Sequence, residues 1–163
     1  MFIIPLVGKS NSGKTSCIKY LIIKMLEIEE VEVVYTSKFS SSKSNKNELI
    51  NLIKDPWNGK NAGLDITVFL KYKGKLIYIT TNGDYLKDIL RNLNNMIKKH
   101  GKIDICVCGR HECNDVEKEF LAYHIDNVVC VDKERATNSD FDKENQNTAN
   151  KLFSEIEKIV QMR

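Results

Sequence analysis

Arginine is scarce in this sequence: of 25 basic residues only Arg91, Arg110, Arg135 and Arg163 are arginines, and the other 21 are lysines. Enzymes that fold an arginine-rich lid over an acidic substrate are therefore disfavoured. Proline occurs twice and tryptophan once, and neither supports a Pro-rich linker or an aromatic nucleic-acid platform. No apolar run approaches the ~20 residues of a membrane-spanning helix. The chain opens on Phe2-Ile3-Ile4-Pro5-Leu6-Val7-Gly8, without a basic leader or a small-residue cleavage site, so no signal peptide is expected. Cysteine is odd in number, at five. Free thiols in a reducing cytoplasm are the expectation, not a disulfide framework.

What is present is an ordinary globular composition, 42% hydrophobic and 29% charged over 163 residues. That is enough to bury one core, and residues 1–163 are expected to form a single domain. The net charge of +3 is too small to argue for nucleic acid. Residues 1–82 carry 12 basic against 7 acidic residues, and residues 83–163 carry 13 against 15. So mild an asymmetry fits a phosphate-facing side or a plain solvated surface equally well.

Hydrophobic periodicity sets out the elements. Residues 2–7 read as a buried strand and 14–27 as a helix, with Cys17, Ile18, Leu21, Ile22, Met25 and Leu26 at helical spacing. A strand over 31–37 leads into a Ser/Lys/Asn-rich loop, 37–47, and a short helix over 48–54. Asp55-Pro56-Trp57-Asn58-Gly59 breaks that helix. Residues 65–72 and 76–81 flank Lys73-Gly74 as an antiparallel hairpin. A helix over 85–99, a strand over 103–108, a helix over 116–123, a strand over 127–131, a polar loop over 132–146 and a closing helix over 147–162 complete the chain. Alternating strands and helices imply an α/β, three-layer sandwich with a mostly parallel sheet, the hairpin excepted. In such folds the binding crevice lies at the carboxyl ends of the strands.

Gly8-Lys9-Ser10-Asn11-Ser12-Gly13-Lys14-Thr15 fits the pattern G-x-x-x-x-G-K-[ST], after an apolar strand and before an amphipathic helix. The glycines let the backbone curl so that successive N–H groups cradle phosphate oxygens. The helix start adds unpaired N–H groups and partial positive charge. On these residues the sequence resembles the P-loop NTPase superfamily. The resemblance implies that Gly8 through Ser16 hold the phosphates of a nucleoside triphosphate. Lys14 would reach the β- and γ-phosphates, and the Thr15 hydroxyl would ligate Mg²⁺.

Members of that superfamily usually end an apolar strand in a carboxylate that holds the metal through water. The matching strand here, 76–81, ends in threonine, and Asp84 in Asn82-Gly83-Asp84 is the nearest carboxylate. Asp84 is therefore a candidate for the metal and for orienting the attacking water, or else a cap on the helix beginning at Tyr85. Arg110, just past a predicted strand, is a candidate to neutralise charge on the transferring phosphoryl group, or a surface arginine paired with Glu112 or Asp115. Cys106, Cys108, His111 and Cys113 are too tightly spaced for a usual zinc site, and the cysteines read as buried thiols. Lys38, Lys43 and Lys46, with Trp57, read as a mobile loop or a lid. Arg135 is a candidate to stack on the base. No [NT]-K-x-D follows the strand over 103–108, where Gly109-Arg110-His111-Glu112 stands instead, so ATP is expected over GTP.

The expected function is Mg-dependent ATP binding with slow hydrolysis of the γ-phosphate. A small kinase passing the γ-phosphate to a metabolite or nucleotide, and a non-catalytic nucleotide-binding module, are the alternatives. No membrane or nucleic-acid partner is indicated, and a protein partner is not identified by any motif.

Overall fold

The computed structural model describes residues 1–37, 45–54, 65–82, 85–111, 116–133 and 140–162. Seven strands and five helices follow one another among them. β1 (Phe2–Val7), α1 (Lys14–Leu26), β2 (Glu32–Thr36) and α2 (Lys46–Lys54) come first. The hairpin β3 (Thr67–Tyr72) and β4 (Lys75–Thr80) leads into α3 (Leu86–His100). β5 (Ile105–Arg110), α4 (Val116–Leu121), the two-residue strands β6 (Asn127–Val128) and β7 (Val131–Asp132), and α5 (Phe141–Gln161) complete the order.

The strands form one open mixed sheet in the order β2-β3-β4-β5-β1-β6, with β7 also on β1. β4, β5, β1, β6 and β7 pair in parallel, while β3 is antiparallel to both β2 and β4. The sheet is therefore less parallel than expected. The hairpin does not stand alone, because β2 adds a second antiparallel ladder outside it. β3 is the one strand that runs against the rest, so the ends of β1, β2, β4, β5 and β7 share one edge.

Side chains alternate across a strand, and β1 shows the consequence. Ile4 and Leu6 face a cluster built with α1, α2 and α5, whereas Ile3 and Val7 face one built with α3 and α4. Helices on both faces make the three layers. α1 lies on the sheet with α5 and α2 against its flanks, which is why eight of its thirteen residues are buried and its apolar positions run most of the way round. Full burial of Leu21 or Ile22 contributes about 1.5–3 kcal/mol each. On the second face Cys106 and Cys108 are wholly buried. The hydrogen bond to Cys108 and burial push the Cys106 thiol well up, so Cys106 behaves as a core group rather than a thiolate ligand. Cys130 is only partly buried, and Cys113 lies outside the described residues.

Several boundaries depart from the periodicity, and three bear on the site. β5 is shifted by two residues, to Ile105–Arg110 in place of 103–108, and Gly109 fits beside Ile18 and Lys14 of α1. The expected strand over 127–131 is split into β6 and β7, both paired to β1. α5 starts at Phe141 instead of 147, because Asp140 caps it by accepting from the Lys143 N–H at 3.3 Å. The polar first turns of this helix masked its start.

His100 ends α3, with its ring against Phe69 and Tyr35 and its Nε2 buried without a hydrogen-bond partner among the described residues. Burial, and then the Lys99 charge, hold its pKa below the ordinary 6.5. The folded state thus favours the neutral ring. Its contribution to stability is present above the unfolded value of 6.5 and is lost as pH falls through the lowered folded value. Urea unfolding at about pH 7.5 and about pH 5 should show a decline that is shallower in His100→Phe. Parallel declines in parent and variant would show that His100 does not couple.

Candidate functional site

β1 and β5 are neighbours, yet the chain leaves β1 for α1 on one face and leaves β5 for α4 on the other. Such a divergence opens a crevice at the carboxyl ends of the two strands. A cavity of about 410 Å³ lies there, lined by Ser10, Asn11, Ser12, Gly13, Lys14, Thr15 and His111.

The loop that lines it is held in one shape by its own residues. Asn11 (φ 59°) and Gly13 (φ 91°) both take the left-handed conformation, the backbone alternation that turns successive N–H groups toward an anion. Lys14 is buried, and its Nζ donates to the carbonyls of Gly8 at 2.6 Å and Lys9 at 2.8 Å. The loop is thus tied across its mouth by the ammonium. A Cβ on Gly13 would lie 2.8 Å from Asn145 Oδ1, and one on Gly8 would lie 2.8 Å from Ser12 Oγ and 2.9 Å from the Lys133 carbonyl. Both glycines are required by close approach, not by flexibility alone.

α1 begins at this loop without a side-chain cap and without an acidic residue in its first turn. Its first internal bond is Cys17 N–H to the Gly13 carbonyl at 3.0 Å, which leaves the amides of Lys14, Thr15 and Ser16 ahead of the i→i−4 ladder. By contrast α5 has Asp140 as its cap and Asp142 and Glu144 in its first turn. The start of α1 therefore keeps its positive end unneutralised. Lys9, Ser10, Asn11 and Ser16 are exposed, Thr15 is half-buried and Ser12 is buried.

The other expected residues are distributed unevenly. Arg110 does not follow its strand but ends it, is buried, and pairs through Nη2 with Glu119 of α4. Its carbonyl accepts from the Gly8 N–H at 3.1 Å, so its backbone braces the loop. Asp84 lies outside the described residues, as do Lys38, Lys43, Trp57 and Arg135, and Glu112 and Asp115 with them. Thr81, the first residue after β4, is buried with its hydroxyl accepting from the Ile66 N–H at 2.8 Å. β5 stands between β1 and β4, which places the end of β4 one strand away from the loop. Lys46 belongs to α2 and not to a lid, and donates to the carbonyls of Ile28 and Glu29 at 2.8 and 3.0 Å.

Two residues bound a loop that the sequence places at the crevice, but received no role of their own there. Lys133, the first residue after β7, is buried beside Gly8 with its N–H on the Val7 carbonyl at 2.7 Å. Asn145, on α5, is buried and accepts from Cys17 Sγ at 3.3 Å. The position of Lys133 directly past the last apolar strand was the available signal. Asn145 was hidden because the start of its helix was placed after it. Burial pushes the Cys17 thiol up to about 11, so it is a packing group and not a nucleophile.

No family model, curated protein or solved structure matches the chain. The donor set itself favours an oxyanion: backbone amides, a buried ammonium and a half-buried hydroxyl around one cavity. Among the described residues no group of three His, Cys, Asp or Glu could hold a metal ion. A hard cation here would take Thr15 Oγ1 and complete its shell with ligand oxygens and water, as Mg²⁺ readily does.

Gly13→Ala should cost about 1–3 kcal/mol, from the positive φ and the Asn145 approach together. Gly74→Ala, at φ 77° with open space around it, should cost about 1 kcal/mol or less. Equal losses in urea unfolding would show that the Asn145 contact is not restrictive. Arg110→Ala strands a half-buried partner, Glu119, and should cost about 1.5–3 kcal/mol of stability. A calorimetric melt of that variant, unchanged from parent, would count against the ion pair as a structural tie.

Proposed function

We propose that this protein binds a nucleoside triphosphate, with ATP preferred, on the loop Gly8–Thr15, as a P-loop NTPase-like domain with slow hydrolysis. The observation that carries the reading is the loop's closed geometry: Lys14 Nζ fixed on the Gly8 and Lys9 carbonyls at the uncapped start of α1. A preorganised cradle of this kind meets phosphate without a large ordering cost. The amides of the loop would hold the β-phosphate, Lys14 would bridge toward the γ-phosphate, and Thr15 Oγ1 would hold Mg²⁺. The metal would supply neutralisation of charge on the phosphate oxygens.

Slow turnover is supported by what surrounds the cavity. The Arg110 guanidinium is engaged by Glu119 rather than lying among the residues that line the cavity. β4, whose end was the expected place for a metal-holding carboxylate, closes in Thr80 and is not the neighbour of β1. His111 is the side chain from beyond the loop that lines the cavity, and so is the group best placed to meet the outer phosphate. This arrangement favours binding, with a state-dependent role, over efficient phosphoryl transfer to an acceptor. The preference for ATP rests on the absence of a guanine-reading motif after β5, where Arg110 is still part of the strand and His111 follows.

Lys14→Ala should lose about 1.5–3 kcal/mol of MgATP binding, a roughly ten- to hundredfold rise in Kd by titration calorimetry. Unchanged affinity in a folded variant would overturn the assignment.

A further inference from the structure

Two buried polar side chains converge beneath the first residue of the loop. Ser12 Oγ and the Cβ of Lys133 would lie 2.8 and 3.2 Å from a Cβ on Gly8. Both residues are more than nine-tenths buried, at 7% and 5% exposure. Neither Ser12 Oγ nor Lys133 Nζ has a hydrogen-bond partner among the described residues. A buried ammonium with no acceptor among the described residues is costly, and the carbonyl and Cβ of Lys133 lie against Gly8 of the loop. The Lys133 N–H is anchored on the end of β1, and the Lys133 charge is felt at the Cys17 thiol in the first turns of α1.

Resting on the phosphate-loop reading, we infer that Lys133 is a second cation of the anion site, a buried charge under Gly8 whose counter-ion is the polyphosphate of the bound ligand. Lys14 ties the loop from its mouth, and Lys133 charges it from its floor. In a low-dielectric setting such a charge acts over several ångströms and is poorly screened by salt. The ligand-free protein carries the cost of the unpaired ammonium, and the ligand relieves it. The field of Lys133 acts on phosphate regardless of the base, so the chemistry recognised is a phosphoanhydride chain.

The test compares the parent with Lys133→Met, and with Lys133→Gln as a second charge-free variant. Readouts are melting temperature without ligand, and Kd for MgATP and for inorganic tripolyphosphate, at low and at high salt. The parent should bind both probes. The variants should melt at the parent temperature or about 2–4 °C above it. They should bind both probes about tenfold more weakly or worse, with a ratio to parent that holds at high salt. A variant that folds and binds like the parent overturns the inference alone and leaves the loop assignment standing. So does unfolding of both variants, which would mark Lys133 as a strut. Loss confined to ATP, with tripolyphosphate unaffected, would put Lys133 at the base and overturn the phosphate assignment. A parent that binds neither probe overturns the phosphate-loop reading and this inference with it.

Discussion

The molecule depends on the bond between the Lys14 ammonium and the carbonyls of Gly8 and Lys9. A strand that feeds a helix through a six-residue loop has its carbonyls pointing at the crevice, where nothing in the sheet can satisfy them. The lysine at the head of the helix meets that demand. In doing so it fixes the turn from β1 to α1, and with it the angle at which α1 lies on the sheet. On the first face α1 has Cys17, Ile18, Leu21 and Ile22 fully enclosed, and α5 packs beside it. The same contact therefore serves the core and the cavity.

Polar burial around the loop follows from that arrangement. Asn145 reaches Gly13 and the Cys17 thiol from α5, and the Arg110 carbonyl takes the Gly8 N–H from β5. Lys133 seats its own N–H on Val7. Three elements distant in sequence each give one backbone or side-chain contact to a loop of small residues. A larger side chain at Gly8 or Gly13 would displace them. The site is thus built by the sheet edge as a whole, and the motif is its innermost part.

Much of this was legible in the sequence where the physics is local. β1 and α1 fell where the apolar run and the helical spacing put them, because a buried parallel strand and a two-sided helix leave strong patterns. The loop was legible because its glycines and lysine answer a local demand. Less was legible where tertiary contacts decide. Arg110 looked like a residue past a strand, since an arginine ending a wholly buried strand is intelligible only once Glu119 of α4 is beside it. The start of α5 was invisible because its first turns are polar by function of the N-terminus, with Asp140 as the cap. Lys133 carried only its place directly past the last apolar strand, because the rest of its meaning comes from Gly8, some 125 residues earlier in the numbering.

Strand order bears on chemistry more than strand identity does. With β5 inserted between β1 and β4, the residue that follows β5, His111, lines the cavity beside the loop. The next element, α4, carries Glu119, the partner of Arg110. A charge arriving at the cavity is therefore one strand-end away from an ion pair that ties β5 to α4. If α4 shifts, the pair must stretch or re-form, and a buried guanidinium tolerates neither cheaply. The helix is short, at six residues, and is the lightest piece of the second layer. α4 gives the core only Val116 and Phe120, whereas α1 buries eight of its thirteen residues, so a shift of α4 costs the core far less than a shift of α1.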